Sequence, residues 1–401
     1  MELNQRIGHT ISRVHSMIAG RRAPEDGLLT GNLGLAIYHS CIARYTRAPI
    51  QDTALLMEDI LERVESMQST LQTCLYSNGL SGLGAVIQFL IEKDEIDFDL
   101  EENFAVIDEF IFEKSLAAIG DGYVEYLHGG GGVLYYFHSR RPESRIVRYQ
   151  EQLVASILQQ VGKDPLGVRI PRGKFHWNKN DDYDLSLAHG LCGVLLVLLA
   201  VLEAGNVHNG DQIRAYLEKA AAFVFDLKKP VDRNNGVYAA FPIYLGKENG
   251  PGEIARTKSW GPSRLAWCYG DLGWVLFFYR YGRYTRDIRF LELADEIGNY
   301  VIPRTTMGET SSSTAHFCHG HAGLAYMYKT LYRVSGKMAY RQAGEFWLKE
   351  TLETLDLEME QSFYKEKALE TNFLEGLAGI NLALASFLEE EDPGWGKFLL
   401  L

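Results

Sequence analysis

Two kinds of apolar segment alternate along the chain. The first is short and hydrophobic nearly throughout: "LAIYHSCIARY" from Leu35, "LGAVIQFLI" from Leu83, "VLYYF" from Val133, "VLLVLLAVL" from Val194, "WVLFFY" from Trp274, "LAYMYKTLY" from Leu324 and "INLALASFL" from Ile380. The second confines its apolar residues to one stripe, three or four apart. In "ALLMEDILERVESMQ" the stripe is Met57, Ile60, Leu61, Val64 and Met67, the spacing of one helix face. Its counterparts are "NQRIGHTISRVHSMI", "NFAVIDEFIFEKSLAAI", "ESRIVRYQEQLVASILQQV", "DQIRAYLEKAAAFVFDL", "RDIRFLELADEIGNYVI" and "YRQAGEFWLKETLETLDL". A helix apolar on all sides must be buried on most of them, whereas a striped helix covers a core from outside. The alternation therefore predicts an all-α fold, an α/α toroid of seven inner and seven outer helices forming one domain over residues 1–401.

Each apolar segment follows two glycines three apart: Gly31 and Gly34, Gly79 and Gly82, Gly129 and Gly132, Gly190 and Gly193, Gly270 and Gly273, Gly320 and Gly323, Gly376 and Gly379. Most steps are about 50 to 60 residues, internal repetition of the kind that sets a whole architecture. If helix direction alternates regularly, all seven glycine turns lie on one rim, where glycine permits close backbone approach. The step from Gly190 to Gly270 is longer because it holds an irregular excursion, residues 230–262. Loops of that length in compact domains are often functional, and its aromatic residues predict an ordered lip over the central cavity. "PLGVRIPRGKFHWNKNDDYDLSLAHG", ahead of Gly190, is a second such segment.

Composition narrows the function. Forty Lys plus Arg against 52 Asp plus Glu leave a net charge of -12, which argues against nucleic acid and anionic lipid as partners. The longest apolar run, Leu191 to Leu202, is too short to span a bilayer, and "MELNQRIGHT" lacks the pattern of a signal peptide. The chain reads as cytoplasmic. Five cysteines, Cys41, Cys74, Cys192, Cys268 and Cys318, are an odd and widely spaced set, unsuited to a disulfide framework. They are buried hydrophobes, metal ligands or reactive thiols.

The rim residues beside the glycines select among these. Cys268 stands two before Gly270, Cys318 and His319 directly precede Gly320, and His189 directly precedes Gly190. Thiolate and imidazole are preferred zinc ligands, and three protein ligands leave a fourth position open, as in catalytic sites. Cys268, Cys318 and His319 are the candidate zinc set; the competing reading makes both cysteines small core residues and His319 an ordinary helix N-terminal residue. Zinc with two thiolates suits activation of a substrate thiol. His189 is the candidate acid or base, since histidine titrates near neutrality. Arg264, four residues ahead of Cys268, could meet a developing oxyanion or be a surface ion-pair partner, and Tyr269 is a packed aromatic with a polar tip. His128, His316 and His321 are spare ligands ranked below His319. The glycine run from Gly129 has no Lys-Ser/Thr after it and is not a phosphate loop.

The motifs "AHGLCG", "RLAWCYGDLG" and "CHGHAGLA", set in order on seven glycine pairs, resemble those of the lanthionine synthetase C-like family, the cyclases of lantibiotic biosynthesis. The resemblance covers essentially the whole chain. It implies a seven-fold toroid with zinc held by Cys268, Cys318 and His319, with His189 as acid/base and Arg264 and Tyr269 in the active site. It also implies Michael-type addition of a precursor peptide's cysteine thiol to dehydroalanine or dehydrobutyrine, closing (methyl)lanthionine rings. The family's aspartate before the third glycine pair is replaced: "GDGYVEYLHGGGG" puts Glu125 at that register, with Asp121 as the other acidic candidate.

The chain is similar to free-standing cyclases, so the expected partners are a dehydrated precursor peptide, core and leader, together with a separate dehydratase and an export transporter in a membrane-associated complex. The alternative is a zinc-containing thiol- or peptide-binding protein, with a glutathione-like ligand and no cyclase activity. A toroid glycosidase would need paired rim carboxylates, and only Glu125 and Glu375 stand near glycine pairs.

Overall fold

The computed structural model describes residues 3–46, 51–170, 183–246, 264–367, 369–389 and 393–401. Seven outer helices, Leu3–Ile18, Gln51–Glu65, Ala105–Gly120, Ser144–Val161, Gly210–Leu227, Ile288–Val301 and Met338–Glu360, alternate with seven inner ones. The inner helices are Asn32–Thr46, Leu80–Glu92, Gly130–Ser139, Leu191–Ala204, Asp271–Thr285, His321–Ser335 and Leu377–Ser386. Each inner helix packs on the next, and the seventh packs on the first, so the ring is closed. The predicted toroid is the observed one.

Burial follows the sequence pattern. In Leu191–Ala204 every residue from Leu191 to Leu202 is buried, and the helix stops at Gly205 in the left-handed region (φ 67°), a conformation glycine adopts without a Cβ clash. In Ser144–Val161 the buried residues are Ile146, Tyr149, Gln150, Leu153, Val154, Ile157 and Val161, one face of a helix.

The glycine pairs serve the ring. A Cβ on Gly132, Gly193, Gly323 or Gly379 would collide with the carbonyl oxygen six residues earlier, that of Tyr126, Leu187, Phe317 or Phe373. The turn thus folds back onto the helix start, where a side chain would not fit. The residues two before each first glycine (Leu29, Ser77, Leu127, Ala188, Cys268, Cys318 and Leu374) are joined around the rim by main-chain hydrogen bonds. Leu29 donates to Ser77, Ser77 to Leu127, Ala188 to Cys268, Cys268 to Cys318, Cys318 to Leu374 and Leu374 to Leu29. At the seventh junction the Leu127 N–H donates instead to the Glu125 carboxylate, at 2.8 Å.

The C-terminal residues fill the bore. The single-turn helix Trp395–Leu399 buries Trp395 among Phe317, Tyr326 and Phe373. Its carbonyls accept from side chains of the third and fifth units: the Tyr126 hydroxyl donates to Phe398 at 2.8 Å and the Trp267 indole to Leu399 at 3.0 Å.

The long step between Gly190 and Gly270 contributes a two-stranded antiparallel ribbon, Tyr183–Asp184 against Tyr244–Leu245. It ties the segment ahead of Gly190 to the 230–262 excursion. Residues 171–182 and 247–263, much of the predicted lip, lie outside the described residues.

Candidate functional site

The rim collects side chains from four consecutive units. Cys268 and Cys318 occupy equivalent positions in the fifth and sixth turns, and the Cys268 N–H donates to the Cys318 carbonyl at 3.4 Å. That bond between neighbouring turns brings the two thiols together, and His319, one residue on, completes the set. Ligand atoms of Cys268, Cys318 and His319 all lie within 4.8 Å of one another. Cys268 is held well below the ordinary thiol range by its hydrogen bond from Cys318, with His319 and Arg264 adding to the effect against burial. Cys318 is correspondingly pushed up by that bond and by burial. Two sulfurs and an imidazole fit a metal with thiolate affinity such as zinc.

Beside this triad stands a second group. His128 and His189 directly precede the first glycines of the third and fourth turns, and their rings stack with centroids 5.4 Å apart and planes within 6°. Glu125, buried beneath them, reaches both: Oε1 lies 3.3 Å from His128 Nδ1 and Oε2 lies 3.5 Å from His189 Nδ1. Its carboxylate also accepts the N–H groups of Leu127 and His128, at 2.8 and 2.5 Å. Burial alone would raise the Glu125 pKa, but contacts from His128 and His189 overcome it and hold the group at about 2. The His189 pKa moves the opposite way, since Glu125, with help from Asp184 and Cys268, outweighs the burial that would lower it. The contact is an ion pair whenever His189 is protonated, a state that Glu125 favours.

The remaining expected residues fall around these two groups. The Tyr269 ring centroid lies 6.2 Å from that of His189, and its hydroxyl is 3.4 Å from Asp184 Oδ2. Half-buried Arg264 lies near enough to Cys268 and Cys318 to act on both electrostatically. Asp121 is exposed at the end of the third outer helix, so Glu125 is the carboxylate at the site. Of the three spare histidines, His128 joins Glu125 and His189. The His316 ring lies 4.2 Å from that of His319. His321 turns away to the last outer helix, where its Nδ1 is 3.0 Å from Thr354 Oγ1 and its ring packs on Trp347. The other three cysteines, Cys41, Cys74 and Cys192, are buried and free.

The sequence reading passed over Asp184. Fully buried on the ribbon, it holds the Ser186 N–H at 2.8 Å and faces Tyr269. Its signal was weak: an acidic residue six before a first glycine, in a segment whose pairing with residues 244–245 is non-local. No helix among the described residues is long and apolar enough to cross a membrane.

Comparison with known proteins bears on the same features. No curated protein sequence matches the chain. Among solved structures, "Nisin cyclase" superposes with a TM-score of 0.73 at 18% identity, over 99% of this chain and 97% of that one; at that identity the likeness speaks for the fold. A family profile described as "Lanthionine synthetase C-like protein" matches residues 23–400, which takes in all seven glycine pairs and both groups of rim residues. The chain belongs to the lanthionine synthetase C-like family.

Proposed function

We propose that this protein is a zinc-dependent peptide cyclase that adds a cysteine thiol of a dehydrated precursor peptide to dehydroalanine or dehydrobutyrine, closing (methyl)lanthionine rings. The observation that carries the reading is the convergence of two thiols and an imidazole on one rim, beside a histidine held by a buried carboxylate. Cys268, Cys318 and His319 would hold the zinc. When bound, zinc lowers the pKa of an incoming thiol, and two thiolate ligands keep the sulfur nucleophilic.

Addition forms a carbon–sulfur bond at the β-carbon of the dehydro residue, and the double-bond electron pair moves toward the carbonyl as an enolate. The α-carbon then takes a proton, so the thiol proton lost is balanced and peptide mass is unchanged. His189 is the donor: its Nδ1 faces Glu125, which leaves Nε2 to face substrate, and Glu125 keeps the ring charged. Arg264 meets the enolate oxygen, and Tyr269, set by Asp184, lines the same space. A dehydratase acting beforehand, an export transporter acting afterwards and a cytoplasmic place beside them complete the reading.

The test uses purified protein and a synthetic dehydrated peptide with one cysteine. Alkylatable thiol should disappear at constant mass, and Cys318→Ala should abolish both the loss of thiol and the bound zinc. Stoichiometric zinc with no thiol consumption would favour a thiol- or peptide-binding protein of the same fold.

A further inference from the structure

Five of the seven residues three before a first glycine are aromatic: Tyr76, Tyr126, Trp267, Phe317 and Phe373. All five are buried, and three adjoin site residues in the chain: Tyr126 follows Glu125, Trp267 precedes Cys268 and Phe317 precedes Cys318. Residues 395–399 lie against this aromatic set. Trp395 packs on Phe317 and Phe373, while two consecutive carbonyls, those of Phe398 and Leu399, accept from the Tyr126 hydroxyl and the Trp267 indole at 2.8 and 3.0 Å. One donor belongs to the turn of the carboxylate, the other to a turn of the metal candidates.

The rim has a gap that such a link would span. Its turns are joined by main-chain hydrogen bonds except between the third and the fourth, because the Leu127 N–H goes to the Glu125 carboxylate. The gap therefore separates Glu125 from His189. On the far side, Ala188 donates to Cys268 and Cys268 to Cys318, so His189 and the three metal candidates stand on one continuous run. At the gap itself the two turns meet through side chains, with His128 stacked on His189 and Glu125 Oε2 3.5 Å from His189 Nδ1. A second path, from Tyr126 through the Phe398–Leu399 main chain to Trp267, crosses the bore beneath them. Both of its donors are buried, so each bond is costly to leave unmade.

We propose that the Phe398–Leu399 main chain is a strut that closes the open junction from inside the bore, and that Tyr126 and Trp267 are positioning residues that keep the Glu125 turn in register with the His189 turn. The consequence for turnover rests on the cyclase reading: the proton donor must meet the α-carbon while sulfur attacks the β-carbon, and a misplacement of about 1 Å can cost about 10²-fold. The strut itself does not rest on that reading.

Amide hydrogen exchange of the full-length protein tests the strut without any peptide substrate. Tyr126→Phe deletes one hydroxyl, and Trp267→Phe removes the indole N–H in a turn two units away. Each should speed exchange at Leu127 and His128 by about 3- to 10-fold, the worth of one hydrogen bond. The double variant should be no faster than the faster single, since either cut frees the strut. A Trp267→Phe effect confined to its own turn, residues 265–270, overturns the proposal, as does a double variant whose effect is the product of the two singles. Gly396→Ala keeps the test open if Trp267→Phe fails to fold: a Cβ there would collide with the Tyr326 hydroxyl of the sixth unit and displace the tail, so the third turn should again loosen, and unchanged exchange there counts against the strut. With a dehydrated peptide, Tyr126→Phe should keep about one zinc per chain and the wild-type KM while kcat falls by about 10-fold or more. Exchange that responds in a protein whose wild type closes no ring leaves the strut standing and the cyclase reading overturned; rings formed by Tyr126→Phe at the wild-type kcat overturn the positioning role.

Discussion

The third and seventh turns of the rim perform the same backbone task with different side chains. In the seventh, Asn372 Oδ1 accepts the N–H groups of Leu374 and Glu375, at 2.9 and 2.8 Å. In the third, Glu125, at the equivalent place four before the first glycine, accepts those of Leu127 and His128. A neutral amide is therefore enough to cap such a turn. The charge on Glu125 is thus more than the cap requires, and it faces two histidines. The turns also differ in their links around the rim: Leu374 still donates to Leu29, whereas Leu127 gives its N–H to Glu125. The third turn has exchanged a bond within the ring for a fixed carboxylate.

The sharpest way to break this comparison is Glu125→Gln, which makes the third turn resemble the seventh. The cap should survive, while cyclisation slows by about 10²- to 10⁴-fold, the usual range for losing general acid–base catalysis. An unchanged rate would show that the carboxylate is only a cap.

Glu125→Ala removes the cap as well and should cost about 1–3 kcal/mol of stability, the desolvation cost of stranded N–H groups, measurable by denaturant unfolding. pH separates the two turns next. Glu125 is held at about 2 against an ordinary 4.5, so its stabilisation is complete above about 4.5 and lost as pH falls through 2. His189 is raised above 6.5, so its share is complete below 6.5 and lost as pH rises through the raised value. With the protein kept metal-free, the stability difference between wild type and Glu125→Gln should be largest between those limits and shrink on either side. A pH-independent difference would remove the ion pair. The smallest expected effect is Asn372→Ala: a stability loss of about 1 kcal/mol, no pH dependence of that loss and an unaltered cyclisation rate.

The fold was legible because its determinants are local and repeated. Glycine pairs mark inner-helix starts, and stripes such as Ile146, Leu153, Val154 and Ile157 mark the buried faces of the outer helices. The Cys268, Cys318 and His319 group was legible for the same reason, since equivalent positions in neighbouring units must meet when the ring closes. His128 was ranked low because its register was read only against the distant cysteines; once the third and fourth units pack, equal offsets bring His128 to His189 just as they bring Cys268 to Cys318. Conversely, His321 is adjacent in sequence to the metal candidates but lies one residue inside a helix, on the side facing Trp347. The missing junction at Leu127 and the partnership of Asp184 with Tyr269 depend on side-chain hydrogen bonds with no periodic trace.

The tail in the bore has a consequence for how the molecule is made. Trp395 packs against residues of the sixth and seventh units, while Phe398 and Leu399 accept bonds from the third and fifth. The first outer helix, Leu3–Ile18, finds its partner face on the seventh inner helix, Leu377–Ser386. The first outer helix therefore keeps its apolar stripe exposed until the seventh inner helix has been made. Contacts of such sequence separation slow folding and lengthen exposure to aggregation, so the closing contact is the one that leaves apolar surface uncovered longest.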